Sequence, residues 1–80
     1  MNDQDIELRD SIIKIVKDVT RCSDVDKNTS IDNLPKWDSL AYISILGEIE
    51  IKYEIEINEN NINNFKSINS IFEIIKKERN

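Results

Sequence analysis

Residues 37–53 read Trp37-Asp38-Ser39-Leu40-Ala41-Tyr42-Ile43-Ser44-Ile45-Leu46-Gly47-Glu48-Ile49-Glu50-Ile51-Lys52-Tyr53, and this stretch decides the fold. Leu40, Ile43, Leu46 (or Gly47), Ile49 (or Glu50) and Tyr53 recur at helical spacing over about four turns. Asp38 is a strong N-cap residue, which places Ser39 at the first helical position. Pro35 bars a helix just upstream of Trp37.

Outward from this helix the chain has the same character. Leu8, Ile12, Ile15 and Val19, thickened by Ile6 and Val16, predict a first helix with Ile13 at the edge of its stripe. Asp3 and Asp5 are the expected caps, and their charge suits the helix dipole. Residues 20–38 are rich in turn and cap formers, a long connection pinned to the core by Ile31, Leu34 and Trp37. Ile55-Glu56-Ile57 alternates like a strand but has no partner strand, so it is expected to be an extended connection. A short, weak helix carrying Ile62 and Phe65 follows. A last helix is capped by Ser67, turns Ile68, Ile71, Phe72 and Ile75 inward, and ends on Lys76, Lys77 and Arg79. The expected fold is all-α, a bundle of three long helices and one short one forming a single domain over residues 1–80.

Composition removes most catalytic chemistries. The 80 residues contain one cysteine and no histidine, which excludes a disulfide framework, Cys/His zinc sites and any imidazole base. One Gly and one Pro argue against a turn-rich sandwich or barrel. The net charge is −5, and the acidity concentrates in residues 39–60, which carry five Glu against one Lys. That distribution repels phosphate backbones and disfavours nucleic-acid binding. No apolar run reaches the ~20 residues of a membrane span, and the acidic start Met1–Asp10 is unlike a signal peptide, so a cytoplasmic location is expected.

Several candidate sites read as ordinary structure. Asp24, Asp26, Asn28, Ser30 and Asp32 alternate like calcium-loop ligands, but Thr29 and Pro35 occupy the positions that need Gly and a bidentate Glu. A polar loop explains them, and no metal site is expected. Cys22 has no group nearby to activate it and reads as a small semi-buried residue. Glu48/Glu50 and Glu54/Glu56 at i, i+2 point to different helix faces and read as a solvated acidic surface.

Ser39 is different. A phosphate ester on its hydroxyl would sit at the positive end of a helix, among backbone N–H groups that lack intrahelical partners. No base is present to make Ser39 a nucleophile by itself, so another enzyme would have to modify it.

Trp37-Asp38-Ser39-Leu40, with Ile43, Leu46, Ile49 and Tyr53 beyond it, resembles the 4′-phosphopantetheine attachment region of acyl carrier proteins. The likeness extends in order along the chain. Thr29-Ser30-Ile31-Asp32-Asn33-Leu34 resembles the loop before the family's serine. Tyr53-Glu54-Ile55-Glu56-Ile57 resembles the close of its second helix, and Asn64-Phe65-Lys66-Ser67-Ile68 its short third helix and the start of its fourth.

The resemblance implies a non-enzymatic, monomeric carrier with the family's four-helix bundle. Ser39 would hold the phosphopantetheine arm as its covalent cofactor, installed by a phosphopantetheinyl transferase, with Asp38 orienting that enzyme and its metal-bound coenzyme A. Acyl or aminoacyl groups would be loaded by a ligase and passed to a downstream synthase or transferase. Leu40, Ile43, Ser44, Gly47, Glu48 and Ile51 would form the docking surface, and Tyr42 and Ile43 would lie near the arm. Ser44, Gly47 and Ile51 make that surface less acidic than is usual in fatty-acid synthesis, which points to partners in specialised pathways. The alternative reading is an unmodified helical module that binds a basic partner through its acidic second helix.

Overall fold

The computed structural model describes residues 2–79, with side chains as far as Glu78. Three α-helices make up its regular structure: α1 (Asp3–Thr20), α2 (Ser39–Tyr53) and α3 (Ile68–Arg79). α1 packs against both α2 and α3. The short helix expected near Ile62 is a single 3-10 turn, Ile62–Asn64, which packs on α3. Among the described residues there is no strand, only one antiparallel bridge between Ser30 and Ser67. Ile55 and Ile57 are half-buried in an irregular connection, as their alternation anticipates.

α1 and α3 follow their hydrophobic periodicity. Leu8, Ile12, Ile15 and Val16 of α1 meet Ile68, Ile71, Phe72 and Ile75 of α3 in one core, with Val19 half-buried at its margin and Ile6 largely exposed. Thr20 is also buried, its hydroxyl donating to the Val16 carbonyl one turn back at 2.6 Å. The cap of α1 is Asn2 rather than Asp3 or Asp5: the Asn2 side chain accepts from Asp5 N at 2.8 Å, and both aspartates lie inside the first turn. Ser67 caps α3 as expected, accepting from Ser70 N. The charge expected of Arg79 falls on a side chain outside those described.

α2 departs from the expected stripe. Its core row is Ala41, Ile45 and Ile49 at i, i+4 spacing, joined by Leu46, whereas Leu40 is 78% and Ile43 65% exposed. The sequence permits both readings because isoleucine recurs at 43, 45, 49 and 51 and populates opposite helix faces. Packing against α1 selects the inner set. The outer set stays in water.

Two loops use one turn design. Ser30 N donates to Asn33 Oδ1, Asp32 N to Ser30 Oγ, and Asn33 Nδ2 to the Asn28 carbonyl. Asn58 N donates to Asn61 Oδ1, Asn60 N to Asn58 Oδ1, and Asn61 Nδ2 to the Glu56 carbonyl. Each side chain replaces a backbone partner in a turn, the reason Asn and Ser favour such places. Asp26 works likewise on Asn28 N, while the buried Thr29 hydroxyl accepts from Asp26 N. Of the alternating polar residues of the first loop, Asp26 and Ser30 thus act as turn formers through their side chains.

Tyr42 ties α2 to the 3-10 turn, its phenol donating to the Ile62 carbonyl across 20 residues of chain. Burial raises its pKa above the ordinary 10.0, because the phenolate loses hydration. A raised folded-state pKa favours the neutral phenol, so this contribution is intact below pH 10 and is lost as pH rises through the folded value. Urea midpoints should therefore fall in that alkaline range, and Tyr42→Phe should remove this component of the fall. At neutral pH the same substitution should cost about 0.5–1.5 kcal/mol for the lost hydrogen bond.

Candidate functional site

The chain enters α2 from a hydrogen-bonded turn. Leu34 N donates to Ser30 O and Trp37 N to Leu34 O, and the Trp37 ring is 3% exposed. Its indole N–H is buried and meets no acceptor among the described residues. That desolvation is offset by the large apolar area the ring removes from water. Trp37 thus fixes the chain immediately before Asp38.

Asp38 has extended backbone dihedrals, and its carboxylate accepts from Ala41 N at 3.0 Å while its carbonyl accepts from Tyr42 N at 2.8 Å. This is the N-cap geometry anticipated from the sequence. Ser39 is then the first helical residue, and it is exposed. The N–H groups of Ser39 and Leu40 belong to the first turn and have no intrahelical acceptor. No acidic residue occupies that first turn, and Lys36 is exposed three positions before Ser39. A phosphate on the Ser39 hydroxyl fits this setting: the hydroxyl is accessible, the helix end is positive, and the nearest carboxylate is engaged as a cap.

Asp38→Ala should lower stability by about 1 kcal/mol, whereas Asp38→Asn should retain most of it because the amide oxygen still caps. Urea midpoints of the two variants make the comparison.

The expected docking residues occupy one side of α2. Leu40, Ile43, Ser44, Glu48 and Ile51 are exposed, with Ile51 at 82%, and Gly47 is half-buried. Tyr42 does not lie free beside Ser39, since its hydroxyl is committed to Ile62. Cys22 is half-buried against the core. Glu48, Glu50, Glu54 and Glu56 are all exposed, and the last two lie beyond the end of α2.

A shallow groove of about 330 Å³ lies at the start of α2, lined by Val19 and Thr20 of α1 and by Lys36, Asp38, Leu40, Ala41 and Ser44, although Ser39 itself is not part of its lining. The α1 contribution and Lys36 were not apparent from the sequence. Packing of the C-terminal end of α1 on the start of α2 brings Val19 and Thr20 to this groove. A larger depression, about 900 Å³, lies between residues 60–64 and α3 and includes no residue of α2. No helix among the described residues is long and apolar enough to cross a membrane. Comparison with protein-family models, with curated proteins and with solved structures found no match to this chain.

Proposed function

We propose that this protein is an acyl carrier, modified on Ser39 with 4′-phosphopantetheine by a phosphopantetheinyl transferase. The observation that carries the reading is the placement of Ser39. Its hydroxyl is exposed at the first position of α2, behind a capping Asp38 and a buried Trp37. The resemblance of residues 29–68 to acyl carrier proteins supports the same assignment, and with it the four-helix bundle in which the 3-10 turn Ile62–Asn64 stands for the short helix. Once attached, the arm supplies a terminal thiol that holds an acyl or aminoacyl group as a thioester.

The chain itself contributes a support. Asp38 holds the helix start in place, and Ser39 Oγ provides the point of attachment. First-turn N–H groups and Lys36 offset the phosphate's charge. The protein has no enzymatic activity in this reading and works as a cytoplasmic monomer between a loading ligase and a downstream synthase or transferase. Its pathway is fatty-acid, polyketide or another specialised biosynthesis.

The test is incubation with coenzyme A and broad-specificity transferases, read by intact mass. One phosphopantetheine should be added to the unmutated chain and none to Ser39→Ala. Failure of several transferases to modify the unmutated chain would sink the reading. In the second reading, an unmodified interaction module, the exposed side chains of α2 bind a basic partner. That binding weakens with salt and ignores Ser39→Ala.

A further inference from the structure

We infer that residues 55–64 form a flap that opens and recloses while the three helices stay packed, and that the Tyr42 phenol is its latch. The device goes beyond the carrier reading and stands whether or not Ser39 is modified.

The two long connections of the fold are held in different ways. Residues 21–38 are clamped. Val25, Thr29 and Trp37 are buried, Ile31 N donates to the Lys66 carbonyl, and Ile68 N donates to the Thr29 carbonyl. Backbone thus pairs with backbone on both sides of the Ser30–Ser67 bridge. Residues 55–64 have nothing of this kind. None of them is fully buried, and Ile55, Ile57 and Ile62 pack on the core from half-buried positions.

Their hydrogen bonds close on themselves. Asn61 N and Ile62 N donate to the Asn58 carbonyl, Asn64 N to that of Asn61, and Phe65 N to that of Ile62. The side-chain bonds of Asn58 and Asn61 stay within residues 56–61 and are exposed. Among the described residues, a single hydrogen bond joins residues 55–64 to another element: the Tyr42 hydroxyl donates to the Ile62 carbonyl.

Both ends of the segment are fixed. Glu54 closes α2 in the left-handed conformation, and Phe65 is fully buried. Motion is therefore confined between a hinge at Glu54 and an anchor at Phe65, since hinges are residues at element ends that absorb a backbone change. A turn whose own bonds meet water, with three half-buried aliphatic side chains beneath it, belongs to the least stable part of a domain. Tyr42 lies three residues beyond Ser39, about one helical turn, so the latch adjoins the serine of the proposed site.

Hydrogen exchange tests the flap, read on the amides of Asn61, Ile62 and Asn64 against those of Ile45 and Ile75, whose side chains are fully buried in α2 and α3. In the unmutated chain the first group should be protected, yet exchange at least about tenfold faster than the second, because it opens without global unfolding. Tyr42→Phe should speed the first group by about 2- to 13-fold, the equivalent of one lost hydrogen bond. Ile12→Val, at a fully buried position of α1, is matched to it in size of effect. It should speed Ile45 and Ile75 by about the same factor and leave residues 61–64 unchanged. A glutamate-specific protease gives a second reading, because cleavage after Glu56 and Glu59 should rise with Tyr42→Phe and not with Ile12→Val.

Residues 61–64 that exchange in step with Ile45 and Ile75, or that respond to Ile12→Val as they do to Tyr42→Phe, would overturn the flap. Unprotected amides at residues 61–64 in the unmutated chain would overturn the latch. So would exchange there that Tyr42→Phe leaves unchanged.

Discussion

Phe65→Ala should bring the chain close to its unfolding midpoint at room temperature. Phe65 follows directly on the 3-10 turn and is fully buried in the core shared by α1, α2 and α3. Truncating such a ring costs about 3–5 kcal/mol, from lost transfer energy and from the cavity left behind. A chain of this size has a total of only about 4–12 kcal/mol, and single-core domains this small tend to the low end. The single tryptophan reports the event, because Trp37 is 3% exposed when folded and its emission should shift red on unfolding. Ile51→Ala is the matched control. At 82% exposure its loss should change stability by no more than about 0.5 kcal/mol. Native Trp37 emission and an unchanged urea midpoint in Phe65→Ala would refute the placement of this ring.

On the proposed carrier function, Ser39→Ala should abolish phosphopantetheine attachment completely, because the new bond would be made through Oγ and no neighbouring hydroxyl shares its position. The nearest other serine of α2, Ser44, lies five residues on, a rise of about 7.5 Å along the helix. The substitution should leave stability within about 0.5 kcal/mol, since the side chain is exposed and the cap comes from Asp38. The pairing of total loss of modification with unchanged folding is the informative result. A residual adduct on Ser39→Ala would move the attachment point. An Ala variant that unfolds would show that Ser39 supports the helix, which its exposure does not provide for.

How much of this was legible depended on whether each signal was local. The stripes of α1 and α3 were, because a single apolar face at 3.6-residue spacing fits Leu8–Ile12–Ile15 and Ile68–Ile71–Ile75 and little else. The start of α2 was also legible, since a cap and a preceding proline loop leave Ser39 one place to be. The face of α2 was not. Alternating isoleucines satisfy two registers, and only contact with α1 selects Ala41–Ile45–Ile49. Val25 and Thr29 are buried in a loop that reads as polar, although Val25 is its one aliphatic residue between Cys22 and Ile31. The Tyr42–Ile62 bond joins residues that no local pattern connects.

The left-handed turns that close α1 and α2 leave part of the available stability unused. Arg21 and Glu54 have φ of 58° and 53°, the conformation in which glycine is least strained. The one glycine of the chain lies elsewhere, at Gly47, in ordinary helical backbone with room for a side chain. Each of these three choices forgoes on the order of 1 kcal/mol of available stability. A sequence refined only for folding would place its glycine at a helix end and an alanine at 47. Arg21→Gly, Glu54→Gly and Gly47→Ala should therefore each raise the urea midpoint, and the three gains should add because the positions lie at separate points of the chain.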